Sequence, residues 1–226
     1  MHVKRLIVSL LIGIFLLISL VDGNSIRGEQ YSKYYYQKKS LYQQLPNNKL
    51  EIIMLGDSIT DGCNWAELFQ DIRLKNRGIS GDTTNGVLDR LDEVTESLPL
   101  KIFLMIGIND LGKGLKVDDV LNNIKRIIRQ IKNSTPDSRL YIQSLLPVNP
   151  EYQIFPDHVS KTEEILSVNK GLKKICQHDS LNYIDLHIHF IDEKNHLKPE
   201  YTNDGLHLTG TGYILWKSLI EKYIKS

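Results

Sequence analysis

Cysteine is scarce in this chain. Cys63 and Cys176 are the two among 226 residues, and two thiols do not make a disulfide framework. Cys63 follows a turn and Cys176 lies on an expected helix far along the chain, so both read as free, buried thiols. Net charge is scarce too, since 28 basic residues against 27 acidic ones leave +1. No basic stripe stands out, which removes nucleic acid as an expected partner. There is no internal repeat and no low-complexity segment, so a repeat array is not expected. Long apolar runs are confined to one place, Leu6 to Val21, interrupted by Ser9, Gly13 and Ser19.

That run follows Met1-His-Val-Lys-Arg5 and precedes Val21-Asp22-Gly23, the pattern of a secretory signal cleaved before Asn24. Residues 1–23 are read as a signal peptide and the product as exported, periplasmic or secreted. Their loss removes Lys4, Arg5 and Asp22 and leaves the mature chain formally neutral, with no stable membrane insertion. The competing reading is an uncleaved anchor, although the run falls short of the ~20 apolar residues of a comfortable span. The remaining composition, 41% apolar and 24% charged, is that of an ordinary globular domain.

Residues 24–48 form a Tyr-rich lead-in with Tyr31, Tyr34, Tyr35, Tyr36 and Tyr42. Their spacing describes one face of a helix packing on the domain more simply than a sugar-stacking platform. From residue 49 strands and helices alternate. Strands are expected at Leu50–Leu55, within Ile72–Ile79, and at Lys101–Ile106, Arg139–Leu146 and Leu181–Leu186. Helices are expected from Trp65, around Val87–Val94, along Val117–Ile131 where apolar residues recur at steps of three and four, and at Thr162–Cys176 and Gly212–Ile224. Five strands alternating with helices imply one α/β domain, residues 49–226: a flavodoxin-like three-layer α/β/α sandwich with a five-stranded parallel sheet.

In such a sheet the site lies beyond the carboxyl ends of the strands. The segments there are Gly56-Asp57-Ser58-Ile59-Thr60, Gly78-Ile79-Ser80-Gly81-Asp82-Thr83-Thr84 and Gly107-Ile108-Asn109-Asp110, with Asp204-Gly205-Leu206-His207 before the last helix. A serine on a tight turn after a strand, which Gly56 lets form, projects its hydroxyl from the sheet. His207 would take its proton, and Asp204, three residues earlier, would hold the other imidazole nitrogen. The backbone N–H groups of Ser58 and Gly81 and the side-chain amide of Asn109 would receive an oxyanion, with Gly81 presenting no side chain to obstruct it. Taken singly, Gly-Asp-Ser and Gly-Asp are turn chemistry, Asn109-Asp110 a helix cap, and Asp204 and His207 a surface pair. Their conjunction in order, three directly after expected strands, is what points to a serine hydrolase.

In these four blocks the chain resembles the SGNH (GDSL) hydrolase superfamily, with Ser58, Gly81, Asn109 and His207 at the matching positions and Asp204 at that of the acid. Asn76-Arg77-Gly78-Ile79-Ser80-Gly81-Asp82-Thr83-Thr84 and Asn203-Asp204-Gly205-Leu206-His207-Leu208 are similar to its acetylhydrolase branch. The resemblance implies a serine esterase without cofactor, acting on short acyl esters, first of all O-acetyl groups on carbohydrate such as sialic acid or plant and host glycans. Lysophospholipid or short-chain lipid esters are the alternative.

Other classes fit less well. A flavin carrier would need a phosphate-cradling loop where Asp57 and Asp61 stand. A noncatalytic carbohydrate-binding protein would not need Ser58, Asn109, Asp204 and His207 together. Asp185, His187 and His189 would share a face if they lay in a strand, yet no further ligand cluster accompanies them, so a polar loop or edge-strand role is expected and no metal. Asp57, Trp65, Tyr152 and Phe155 are the expected substrate contacts, drawn from the nucleophile turn and from the loops Asp61–Trp65 and Pro147–Ser160, where His158 adds to an aromatic and polar mixture. No long apolar lid segment is present. The oligomeric state is left open.

Overall fold

The computed structural model describes residues 31–226. The expected signal segment, and the lead-in up to residue 30, lie outside the described residues. Five strands form: β1 (Ile52–Gly56), β2 (Leu74–Gly78), β3 (Lys101–Met105), β4 (Arg139–Gln143) and β5 (Asn182–Ile184). All pair in parallel, in the order β2-β1-β3-β4-β5. β1 and β3 are buried along their whole length, as strands covered on both faces must be.

The helices are α1 (Lys33–Gln44), α2 (Ser58–Asp61), α3 (Trp65–Phe69), α4 (Thr84–Asp89), α5 (Leu91–Thr95), α6 (Ile108–Gly112), α7 (Val117–Ser134), α8 (Pro156–Val159), α9 (Thr162–His178), α10 (His187–Phe190) and α11 (Gly210–Lys225). Right-handed crossovers put the helix between β1 and β2 on one face of the sheet. The strand order then reverses direction, which puts those between β2 and β5 on the other. In agreement, α5 and α9 pack on α7, while α11 packs on α3. The result is the expected α/β/α sandwich. Val120, Ile124, Ile127, Ile128 and Ile131 of α7 are buried, so its apolar stripe is the face laid on the core. Cys63 and Cys176 are buried and unpaired, as expected.

The strand order reverses between β1 and β3. Such a switch point opens a crevice at the carboxyl ends of the two strands, and Ser58 and Asn109 follow those two ends.

Several elements are shorter than expected. β4 stops at Gln143 because side chains replace the ladder: Asn169 of α9 bonds both the N–H and the carbonyl of Leu145, at 2.8 and 3.0 Å. β5 stops at Ile184, and the N–H groups of Leu186 and His187 donate to Ser144 Oγ, each at 2.9 Å. Asp185, His187 and His189 therefore share no strand face. His187 and His189 sit two residues apart in α10, about 200° around a helix, with His187 buried and His189 exposed.

In the lead-in, Tyr35 and Tyr42 form the buried face of α1. Their hydroxyls donate to the carbonyls of Gly86 and Gly78, each at 2.8 Å, while Tyr34 and Tyr36 are exposed. Among the described residues no helix is long and apolar enough to cross a membrane.

Candidate active site

The nucleophile turn is built by close approach. A Cβ on Gly56 would overlap the Met105 carbonyl of β3 and the Thr60 hydroxyl of α2, so glycine is needed here for space rather than for a special turn conformation. The chain then enters α2 with Ser58 as its first residue. Asp57 caps that helix, its Oδ1 accepting from the Ile59 N–H at 3.0 Å. Two aromatic groups brace the turn from below: Trp65 Nε1 donates to the Thr60 carbonyl at 2.9 Å, and Tyr213 Oη of α11 donates to the Ile59 carbonyl at 2.8 Å.

The segment before α11 supplies the facing side. Asp204 Oδ1 accepts from the N–H groups of Leu206 and His207, at 2.9 and 2.7 Å, while its Oδ2 lies 2.7 Å from His207 Nδ1. The ring's other nitrogen, Nε2, lies 3.0 Å from Ser58 Oγ. Burial works against a charge on Asp204, but the hydrogen bonds from His207 and Leu206 outweigh it and hold the carboxyl below its usual range. An ionised carboxylate accepts the hydrogen bond of Nδ1–H and so keeps the proton on that nitrogen, which leaves the Nε2 lone pair facing the serine hydroxyl. Thr202 shapes this turn, accepting from the Gly205 N–H at 2.9 Å.

Gly81 and Asn109 come from the ends of β2 and β3. Among the described residues nothing lies within 4 Å of where a Gly81 Cβ would be; φ of +79° is what calls for glycine there. Among the described residues no acceptor takes the backbone N–H of Ser58 or of Gly81. Asn109 Nδ2 donates to the Asp82 carbonyl at 2.9 Å, which leaves its second hydrogen free. Asp110 caps α4 rather than its own helix: it accepts the Thr84 N–H at 3.0 Å and the Thr84 hydroxyl at 2.5 Å. The two blocks are thereby locked to each other.

Beneath them lies a buried charge network that the sequence reading missed. Arg90, 1% exposed, lies between Asp82 at 2.8 Å and Glu93 at 2.9 Å and donates to the carbonyls of Gly56 and Arg77. Burial still pushes the Asp82 carboxyl up to about 6 against the pull of Arg90. Asp57 is pushed to about 7, first by burial and then by the charges of Asp82 and Asp110, and its Oδ2 has no partner among the described residues. The Arg90–Glu93 spacing was a visible signal of an ion pair, but nothing in it announced burial. His158 was seen only as part of a mixed loop, although its Nε2 lies 3.0 Å from Asn109 Oδ1.

The expected substrate contacts divide. Asp57 and Trp65 are each 1% exposed, so both are corrected: they hold the nucleophile turn from within and offer no surface to a ligand. Trp65 is drawn inward because its indole packs edge-on against Trp216, centroids 4.9 Å apart. Tyr152 is half-buried and lies against Gly205, where a Cβ would come 2.7 Å from its own. Phe155 is half-buried and stands edge-on to the His207 ring at 5.1 Å, so it borders the base. His187 and His189 lie apart from this cluster in α10 and, among the described residues, no group of side chains is arranged to hold a metal ion.

Chemically, the arrangement offers a hydroxyl beside a basic nitrogen, a carboxylate that fixes the imidazole, and amide donors at the same crevice. Comparison with known proteins agrees. The model of the GDSL-like lipase/acylhydrolase family matches residues 54–215. Platelet-activating factor acetylhydrolase IB subunit alpha2 of Rattus norvegicus is 27% identical over 169 residues, 72% of this chain and 71% of its own. N-acylneuraminate cytidylyltransferase of Streptococcus agalactiae is 24% identical over 196 residues, 87% of this chain but 43% of that protein. A solved structure from Streptococcus pneumonia, described provisionally as a platelet activating factor, superposes with a TM-score of 0.75 at 30% identity, covering 85% of this chain and 93% of that one. With four blocks converging at the switch point of a parallel sheet, and with the family model spanning most of the described chain, the protein belongs to the GDSL-like lipase/acylhydrolase family and is an ester hydrolase.

Proposed function

We propose that this ester hydrolase is an exported enzyme that removes short acyl groups, acetyl above all, from carbohydrate, by a Ser58–His207–Asp204 triad. The observation that carries the reading is one imidazole joined to both partners, 3.0 Å from Ser58 Oγ and 2.7 Å from Asp204. Ser58 Oγ attacks the ester carbonyl carbon while its proton passes to His207 Nε2. The carbonyl π pair moves onto oxygen, and the resulting oxyanion is received by the N–H groups of Ser58 and Gly81 and by Asn109 Nδ2. Collapse breaks the bond to the alcohol oxygen, which leaves with the Nε2 proton. Water then repeats the sequence on the acyl-serine, giving its proton to Nε2 and releasing the acid and free Ser58.

The cavity beside the nucleophile turn, bordered by Asp57, Ile59, Met105, Leu145, Val148 and Leu206, measures about 10 Å³, room for roughly one water, and so small a space supports short acyl groups. The name of one relative, platelet-activating factor acetylhydrolase, supports removal of an acetyl group. Half-buried Phe155 and Tyr152 at the crevice suit a sugar face.

A series of p-nitrophenyl esters, followed by O-acetylated sugars, tests this reading. kcat/KM should peak at acetate or propionate and fall steeply by octanoate, each unburied methylene forfeiting ~0.8 kcal/mol. A maximum at octanoate or longer would favour a lipid ester instead.

A further inference from the structure

The Asn109 amide is held from two sides. Its Nδ2 donates to the Asp82 carbonyl at 2.9 Å, and its Oδ1 meets His158 Nε2 at 3.0 Å. An amide oxygen only accepts, so the imidazole must carry its hydrogen on Nε2. Turned the other way, the amide would set Oδ1 against the Asp82 carbonyl, acceptor against acceptor. It would then also present oxygen, not N–H, to an oxyanion.

The fold makes room for this contact. A Cβ on Gly112 would run into the His158 ring, so the glycine that ends α6 lets the imidazole lie across that helix and reach Asn109. Val159, the next residue, is buried and anchors α8. Phe155 stands edge-on to both imidazoles, to His158 at 6.1 Å and to His207 at 5.1 Å. Burial holds the His158 imidazole below its usual range, with Asp157 opposing and His207 and Lys113 adding to the effect. At neutral pH it is therefore an uncharged donor.

We propose that His158 is a positioning residue of the oxyanion hole: its Nε2–H fixes Asn109 Oδ1, so that the free Nδ2 hydrogen is aimed at the oxyanion. His158 touches no reacting atom; it acts through Asn109, and the inference rests on the esterase reading of this site. Asn109 is 8% exposed, so few waters can take over the imidazole's task.

Two measurements test it. Nitrogen-15 spectra of the imidazole-labelled wild-type protein at pH 8 should show His158 as the Nε2–H tautomer. The Nδ1–H tautomer overturns the proposal, with or without a substrate in hand. In kinetics with p-nitrophenyl acetate, His158→Ala should lower kcat about tenfold, the scale of one lost orienting hydrogen bond, with KM and melting temperature near wild type. His158→Gln, which keeps an N–H within reach of Oδ1, should regain most of the rate. In an Asn109→Ala background, His158→Ala should cost nothing further. Multiplying losses in the double variant, or equal losses for Gln and Ala, overturn the proposal. A wild-type protein inert toward every ester would instead refute the esterase reading, and the tautomer would then decide the His158 contact by itself.

Discussion

One residue before the proposed nucleophile, the Asp57 carboxyl is buried with one oxygen capping α2 and the other unpartnered among the described residues. Burial pushes its pKa up to about 7, whereas in the unfolded chain the carboxyl ionises near 3.8. The folded-state value is raised, so the contribution to stability is fully present below about pH 4 and is lost as pH rises through about 7. Asn cannot ionise and keeps the oxygen that accepts from Ile59. The melting temperature of Asp57→Asn relative to wild type should therefore climb between pH 5 and pH 8; a difference that stays flat over that range would show that Asp57 ionises normally. Kinetics separate the roles at the crevice. Asn109→Ala removes one proposed oxyanion donor and should cost ~10²–10³ in kcat with KM little changed. Asp204→Asn should cost up to ~10⁴ by spoiling the imidazole tautomer. A large rise in KM with kcat intact would contradict both assignments. Ser58, Gly81, Asn109, Asp204 and His207 were legible in the sequence because each sits in a short block next to an expected strand or helix. Asp57 and Trp65 were misread for a physical reason: a sequence tells which residues border a turn, but not whether a side chain points out to solvent or back into the core.

At the scale of elements, the single helix expected around Val87–Val94 is broken at Arg90 into α4 and α5. The break lets the guanidinium run inward to two carboxylates and two strand-end carbonyls. Replacing Arg90 with Met leaves Asp82 and Glu93 buried with less compensation; Arg77 still pairs with Glu93 at 3.1 Å. The loss should be about 3–5 kcal/mol in denaturant unfolding. It should be smaller at pH 5 than at pH 8, because Asp82, pushed up to about 6 with Arg90 in place, can protonate when its partner is gone. A variant as stable as wild type at pH 8 would refute this network's part in holding the Gly81 block. Apolar strands and the α7 stripe were readable because burial repeats with the period of the element. The early ends of β4 and β5 were not, since the side chains that replace the ladder, Asn169 and Ser144, lie on other segments.

Across the whole molecule, parallel pairing and the strand order set the chemistry by bringing the residues after β1 and β3 to one crevice. The alternation of strands and helices made the sandwich legible, but the order of strands came from the structure. His158 illustrates what neither periodicity nor motif conveys: it meets Asn109 across 49 positions of sequence. Export is a proposal about the whole chain, tested by sequencing the amino terminus of protein recovered outside the cytoplasm. It should begin at Asn24, and a product that retains residues 1–23 would contradict cleavage. The central claim is that Ser58, activated by His207, attacks the ester. A fluorophosphonate probe tests this most directly, because Oγ displaces fluoride and leaves a stable phosphorus–oxygen bond. Mass mapping of the labelled protein should place one adduct on Ser58, absent from a folded Ser58→Ala variant and formed far more slowly in His207→Ala. An adduct on another serine, or labelling of Ser58→Ala at the wild-type rate, would contradict the account.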